Sequence, residues 1–175
     1  MNETLEIIRS EFAQASFETF EMVFISMAAA AVIGTLLGLV LHLTSNPLFY
    51  RNRIINGIAG TIVNIIRSMP FIILIIVLIP VTRILVGTSI GALAASVSLS
   101  IASIAFFARL VENAFSEVDK GVIEAAVAAG AGTFLIIRKV LFVEAMPALV
   151  RALTVPFVST IGYSLRAEAV GGGGI

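Results

Sequence analysis

The chain of 175 residues has no cysteine, and His42 and Asp119 are its single histidine and single aspartate. Without thiols there is no disulfide framework, zinc–thiolate site or thiol nucleophile, although that absence does not fix the redox compartment. One histidine and one aspartate cannot build a histidine-based metal cluster or a Ser-His-Asp triad, and His42, at an end of the first apolar run, reads as an interfacial residue. No stretch fits G-x-x-x-x-G-K-[ST], since Gly171 to Gly174 run into Ile175, so ATP has to be bound elsewhere. Charge is scarce, at 13% of residues against about 25% in a soluble domain. The 11 basic and 11 acidic side chains cancel, which leaves no field to draw the chain to nucleic acid. What is present is apolar: 59% hydrophobic residues and a mean hydropathy of +1.09 describe a membrane-embedded chain, short enough for a single domain, 1–175.

Glu3, Glu6, Glu11, Glu18 and Glu21 against Arg9 are the reverse of a basic signal-peptide or Arg-rich transit-peptide start. The chain therefore begins as mature protein, with a short amphipathic helix. Residues 22–43 carry no charge and reach about 33 Å as a helix, enough to cross a hydrocarbon core of about 30 Å. Residues 54–80 form a second, irregular span; they hold Arg67 and Pro70, so the span runs near the interface or bends at the proline. The third, 84–108, is uncharged and bracketed by Arg83 and Arg109, which can snorkel to the two interfaces. The fourth, 145–165, contains Arg151 and Pro156. Four spans make an all-helical, polytopic membrane bundle. Near the span ends, Arg51, Arg53, Arg109, Lys120, Arg138 and Lys139 lie on one side and Arg9, Arg83 and Arg166 on the other. That imbalance puts the N-terminus outside and the loop 110–144 in the cytoplasm. Loops of such length are usually functional.

Within that loop, Asp119 to Gly130 is alanine-rich, with an acidic start and a glycine finish, and reads as a short helix ending at Gly130. Thr133 can cap a second short helix, 134–142, in which Ile136, Ile137, Val140 and Leu141 recur at helical spacing beside Arg138 and Lys139. In the first helix Ala125, Ala126, Ala128 and Ala129 permit close approach of another backbone, and Glu124 adds one directional charge. This is either a peg for a partner's groove or a helix that packs on its own bundle.

Arg67, as an in-span charge, either neutralises a substrate carboxylate or sits at the cytoplasmic interface among headgroups and glutamates. Pro70, beside Ser68, forms a hinge or a simple packing kink. Ser89, Ser96, Ser100 and Ser103 fall on one stripe of span three and either line a wet path or let a helix approach. Gly34-x-x-x-Gly38 and Gly87-x-x-x-Gly91 read as packing motifs. Tyr163 and Ser164, toward the outer end of span four, gate the exit or anchor at the interface.

Glu124-Ala125-Ala126 with Gly130 resembles the EAA loop of ABC-importer permeases. Further blocks resemble the methionine branch of that superfamily: Arg67-Ser68-Met69-Pro70-Phe71-Ile72-Ile73-Leu74, Ile79-Pro80-Val81-Thr82-Arg83, Val86-Gly87-Thr88-Ser89-Ile90-Gly91, Phe107-Ala108-Arg109-Leu110-Val111-Glu112-Asn113-Ala114, Ile137-Arg138-Lys139-Val140-Leu141 and Gly162-Tyr163-Ser164. The resemblance runs from about Glu18 onward. It implies a type I importer fold with five spans, so that the glycine-rich end, Ala169 to Ile175, resembles the outer loop before a fifth span and the chain looks truncated. The family usually has Leu-Pro where this chain has Phe142-Val143, so that a bend is softened here; it also usually has prolines at Ser98 and Ala105, no arginine at Arg151 and Arg166, and a small residue at Glu168. The resemblance also implies a transporter subunit rather than an enzyme, in the bacterial inner membrane. It implies a permease homodimer, two ABC ATPase subunits that bind ATP and Mg, an extracytoplasmic substrate-binding protein, and methionine as substrate. Glu124, Ala125, Ala126 and Gly130 are then the ATPase-coupling residues, and Arg67, Ser68, Pro70, Ser96, Ser100, Tyr163 and Ser164 are candidates for the pathway or its hinge. A permease for another amino acid and a membrane channel or assembly protein without an ATPase are the alternatives.

Overall fold

A computed structural model describes the backbone of residues 2–168 and 171–172 and the side chains of 10–167. The side chains of Glu3, Glu6, Arg9 and Glu168, and most of the glycine-rich end, lie outside the described residues. All the regular elements described are helices.

Helix α1 (Asn2–Ala29) passes through a five-residue π-turn, Ala30–Gly34, into α2 (Thr35–Ser45). No proline or turn residue interrupts this run, so the short surface helix expected at the start is continuous with the first span. Its segment Ser10–Ser45 is long and apolar enough to cross a membrane. Asn52 then caps α3 (Arg53–Ser68), its side-chain oxygen accepting from the N–H groups of Ile54 and Ile55. Helix α4 (Phe71–Val86) leaves α3 at 119°. The break falls where Pro70, lacking an N–H, cannot bond back to the carbonyl of Ile66; Pro70 instead starts α4, its carbonyl accepting from Ile73 and Leu74.

Span three starts later than 84. Helix α4 ends on Gly87, whose φ of +82° is a left-handed cap, and Gly91 has φ +101°. Residues 87–91 are therefore a turn that side-chain-bearing residues resist. Gly87-x-x-x-Gly91 is thus not a helix-packing motif, and Ser89 drops off the serine stripe. Helix α5 (Ala92–Ser116) is the second helix fit to cross a membrane; the bent pair α3–α4 makes a third if counted as one span. With Ser98 and Ala105, both buried, where the resemblance expects proline, α5 runs unbroken.

After α6 (Lys120–Ala128), α7 (Thr133–Ile136), a π-turn (Ile137–Leu141) and α8 (Phe142–Glu168) follow as one helix. The second short loop helix is therefore not separate, and Gly132 rather than Thr133 precedes it. Phe142 and Val143 carry the N–H groups that let the helix run on, and Pro147 and Pro156 lie inside α8.

Helix α5 is the centre: α1, α2, α3, α4 and α8 all pack on it. The seam with α2 is set by Gly34 and Gly38. A Cβ at Gly38 would lie 2.6 Å from the carbonyl oxygen of Ala108, and one at Gly34 3.1 Å from the Phe107 ring. Buried hydroxyls of Ser103 and Thr160, 2.9 Å apart, join α5 to α8. Arg109 does not snorkel. It lies within α5, donates to the Gly60 carbonyl of α3 at 2.9 Å and pairs with Glu112, so its charge is spent inside the bundle.

Candidate functional site

Helix α6 is built to stand out from the bundle. Asp119 caps it, accepting from the Gly121 N–H at 2.7 Å. At its other end Gly130, with φ +80°, closes the helix: its N–H bonds to the Val127 carbonyl at 2.9 Å, and the Ala131 N–H to that of Ala126 at 3.0 Å. This pair of bonds is the Schellman closure that favours glycine. Ile123 is the one buried side chain of α6, seated with Phe115 and Val118. Ala126 is half-buried against the same cluster. Glu124, Ala125, Ala128, Ala129 and Gly130 are exposed. Of the four expected coupling residues, three therefore face outward and Ala126 forms the edge. Ala126 thus packs on the bundle, while Ala125 and Ala128 have no cover from it.

Behind α6 lies a cavity of about 260 Å³ lined by His42, Phe115, Ser116, Lys120 and Ile123. His42 is buried within the bundle. Its ring sits near Phe49 and Phe115, with Nδ1 3.3 Å from the Ser116 hydroxyl. The Ser116 hydroxyl in turn donates to the Glu112 carbonyl at 2.8 Å.

The second cluster gathers at the α3–α4 break. Ile66, Arg67, Met69, Phe71, Leu74, Ala102, Phe106 and Tyr163 line a cavity of about 110 Å³. Tyr163 stacks on Phe71 with ring centres 4.7 Å apart, and the Arg166 guanidinium lies 5.6 Å from the centre of the Tyr163 ring. The Arg67 guanidinium lies 5.5 Å from the centre of the Phe106 ring. Phe106 is the fifteenth of the 25 residues of α5, so the exposed Arg67 lies beside the middle of that helix. Ser68 is exposed, donating to the Ile65 carbonyl. Ser164 is buried and bonded to Ile161. Ser96 and Ser100 line a separate cavity beside Ile25, Leu85 and Leu93; Ser96 donates to Ala92 and its carbonyl accepts from Ser26. The structure thus joins Arg67 and Tyr163, with Ser68 and Pro70 at the break, and leaves Ser96 and Ser100 apart. Sequence reasoning missed Phe71, Phe106 and Thr160 as partners. They are apolar or small residues in apolar runs, and only distant chain segments give them a role.

The chain is similar to known transport proteins. The family model described as binding-protein-dependent transport system inner membrane component matches residues 30–175. The methionine import system permease protein MetP of Bacillus subtilis is 49% identical over 166 residues, 95% of this chain and 75% of its own length. The probable D-methionine transport system permease protein MetI of Vibrio cholerae is 44% identical over 161 residues, 92% of this chain and 72% of its own. Among solved structures, an inward-facing conformation of the MetNI methionine ABC transporter superposes with a TM-score of 0.87 at 43% identity, covering 97% of this chain and 78% of the other.

Proposed function

Because the chain belongs to the family of binding-protein-dependent transport system inner membrane components, we propose that it is the membrane-spanning permease subunit of an ATP-driven methionine importer. It is a transport subunit, not an enzyme. The observation that carries the mechanism is α6: a capped, glycine-closed helix held by Ile123 and exposing Glu124, Ala125 and Gly130. Such a peg suits a groove on an ATPase subunit. The permease works as a homodimer with the passage between subunits, two ATPase subunits beneath it and a substrate-binding protein outside. It sits in the bacterial inner membrane with the N-terminus outside. ATP and its magnesium belong to the ATPase subunits. Closure of that pair pulls α6, and through it the bundle, from inward-facing to outward-facing; hydrolysis resets it. The coupling is the difference in contact energy at α6 between two states of the bundle. Arg67, Ser68, Pro70, Ser96, Ser100, Tyr163 and Ser164 are the residues of the chain offered to the pathway or its hinge.

The test is co-purification of the ATPase subunit together with ATP-driven uptake of labelled methionine, for the native chain and Glu124→Lys. The native chain retains the ATPase and takes up methionine, with competing amino acids displacing it weakly; the variant inserts but loses both. Unchanged uptake in Glu124→Lys would overturn the coupling role. A native chain that retains no ATPase would turn the reading to a channel or assembly protein.

A further inference from the structure

We propose that the cavity at the α3–α4 break is where the permease holds its amino-acid substrate during passage, Arg67 receiving the α-carboxylate and Phe71, Leu74, Phe106 and Tyr163 the apolar side chain. This rests on the importer reading and specifies its substrate site. An arginine within an apolar membrane segment such as 54–80 is costly and persists where it meets an anion or water, and Arg67 is exposed at the mouth of this cavity. No carboxylate pairs with Arg67 among the described residues, where Arg109–Glu112 is the ion pair present. Phe106 covers one face of the guanidinium and leaves the N–H edge free. That edge is a planar fork matched to a carboxylate.

The rest of the cavity is matched to an apolar chain. Its volume of about 110 Å³ is below the about 150 Å³ of an engineered apolar cavity that takes up benzene, room for the side chain with the charged groups left at the mouth beside Arg67. Its aromatic walls favour contact with a thioether sulfur. Ile66 also lines the cavity, and Pro70 has no N–H to give to its carbonyl. No lining residue is basic apart from Arg67 or acidic at all, so an amino acid with a charged side chain finds no partner there.

The test uses the assembled permease–ATPase complex in detergent and measures equilibrium binding of labelled methionine against methioninamide, which lacks the carboxylate, and ethionine, one methylene longer. The native complex prefers methionine over the amide by at least about tenfold, the scale of one charge-assisted hydrogen bond. Arg67→Gln erases that preference and Arg67→Lys keeps part of it. Leu74→Ala moves the preference toward ethionine. Co-purification with the ATPase and an unchanged elution volume establish that each variant is folded, which a merely structural role for Arg67 would disturb. Retained preference in folded Arg67→Gln overturns the site, as does absence of methionine binding by a native complex that imports it. Failure of the native complex to import methionine would overturn the importer reading instead.

Discussion

Helices α5 and α6 follow one another in the chain and are opposites in the fold. Helix α5 is contacted by five other helices, with thirteen buried residues along its length. It approaches α2 so closely that glycine is required at Gly38. Helix α6 buries one residue, Ile123. Both are rich in alanine, so composition does not separate them. Alanine on α5 lets neighbours close in, whereas on α6 it keeps a surface smooth. The difference lies in what surrounds each: a post wedged on every side cannot shift without moving the bundle, while a peg held by one side chain can transmit a push. The contrast predicts stability concentrated in α5 and compliance in α6.

The sharpest break of that contrast is Gly38→Val. The added Cβ meets a backbone oxygen, which cannot rotate away, so the α2–α5 seam should open at a cost of about 3 kcal/mol. The purified protein should melt far below the native chain in a detergent thermal scan; an unchanged melting temperature would mean that α2 and α5 are less tightly joined than described. Next comes Ile123→Ala, which removes the anchor of α6. The local loss is about 2 kcal/mol, at the low end for buried isoleucine because a cavity already adjoins it. Hydrogen exchange should rise across α6 while that of α5 stays put. Exchange rising equally in both helices would show that they move as one unit. The smallest effect is at the α5–α8 link: a double-mutant cycle of Ser103→Ala and Thr160→Val should give a coupling of about 0.6 kcal/mol, the average for buried hydrogen bonds between membrane helices. A coupling indistinguishable from zero would leave apolar packing as the whole of that contact.

Much of the bundle is legible in the sequence because its signals are local. The uncharged run 22–43, the proline at 70, and the Asp119-to-Gly130 segment with its cap and closing glycine each act within a few residues of themselves. Errors arose where one local pattern has two meanings. Gly87-x-x-x-Gly91 matches a packing spacing, but Thr88 and Ser89 between the glycines make a cluster of turn residues, and the turn prevails. Arg109 at the edge of an apolar stretch looks like a snorkelling cation until Gly60, 49 residues earlier, presents a carbonyl to it. His42 is likewise buried by Phe115 and Ser116, far along the chain. The placement of Glu124, Ala125 and Gly130 on an exposed face was readable because one short helix carries them all. The cavity beside Arg67 was not, since its walls come from α3, α4, α5 and α8 and meet only after folding.

The π-turn at Ala30–Gly34 has a geometric consequence for the first helix. Met22, Ser26, Ala30, Gly34, Gly38 and His42 are all buried, at strict intervals of four. At about 100° per residue each interval overshoots a full turn by about 40°, so over the whole line the buried face would drift by about 200°, to the opposite side. The wider turn absorbs one residue without advancing the face and takes back about 100° of that drift. It acts as a phase correction, by which α1 and α2 both stay turned toward α5. Deleting Ala31 would remove the correction and rotate everything before it, carrying Met22 and Ser26 off the bundle and into lipid.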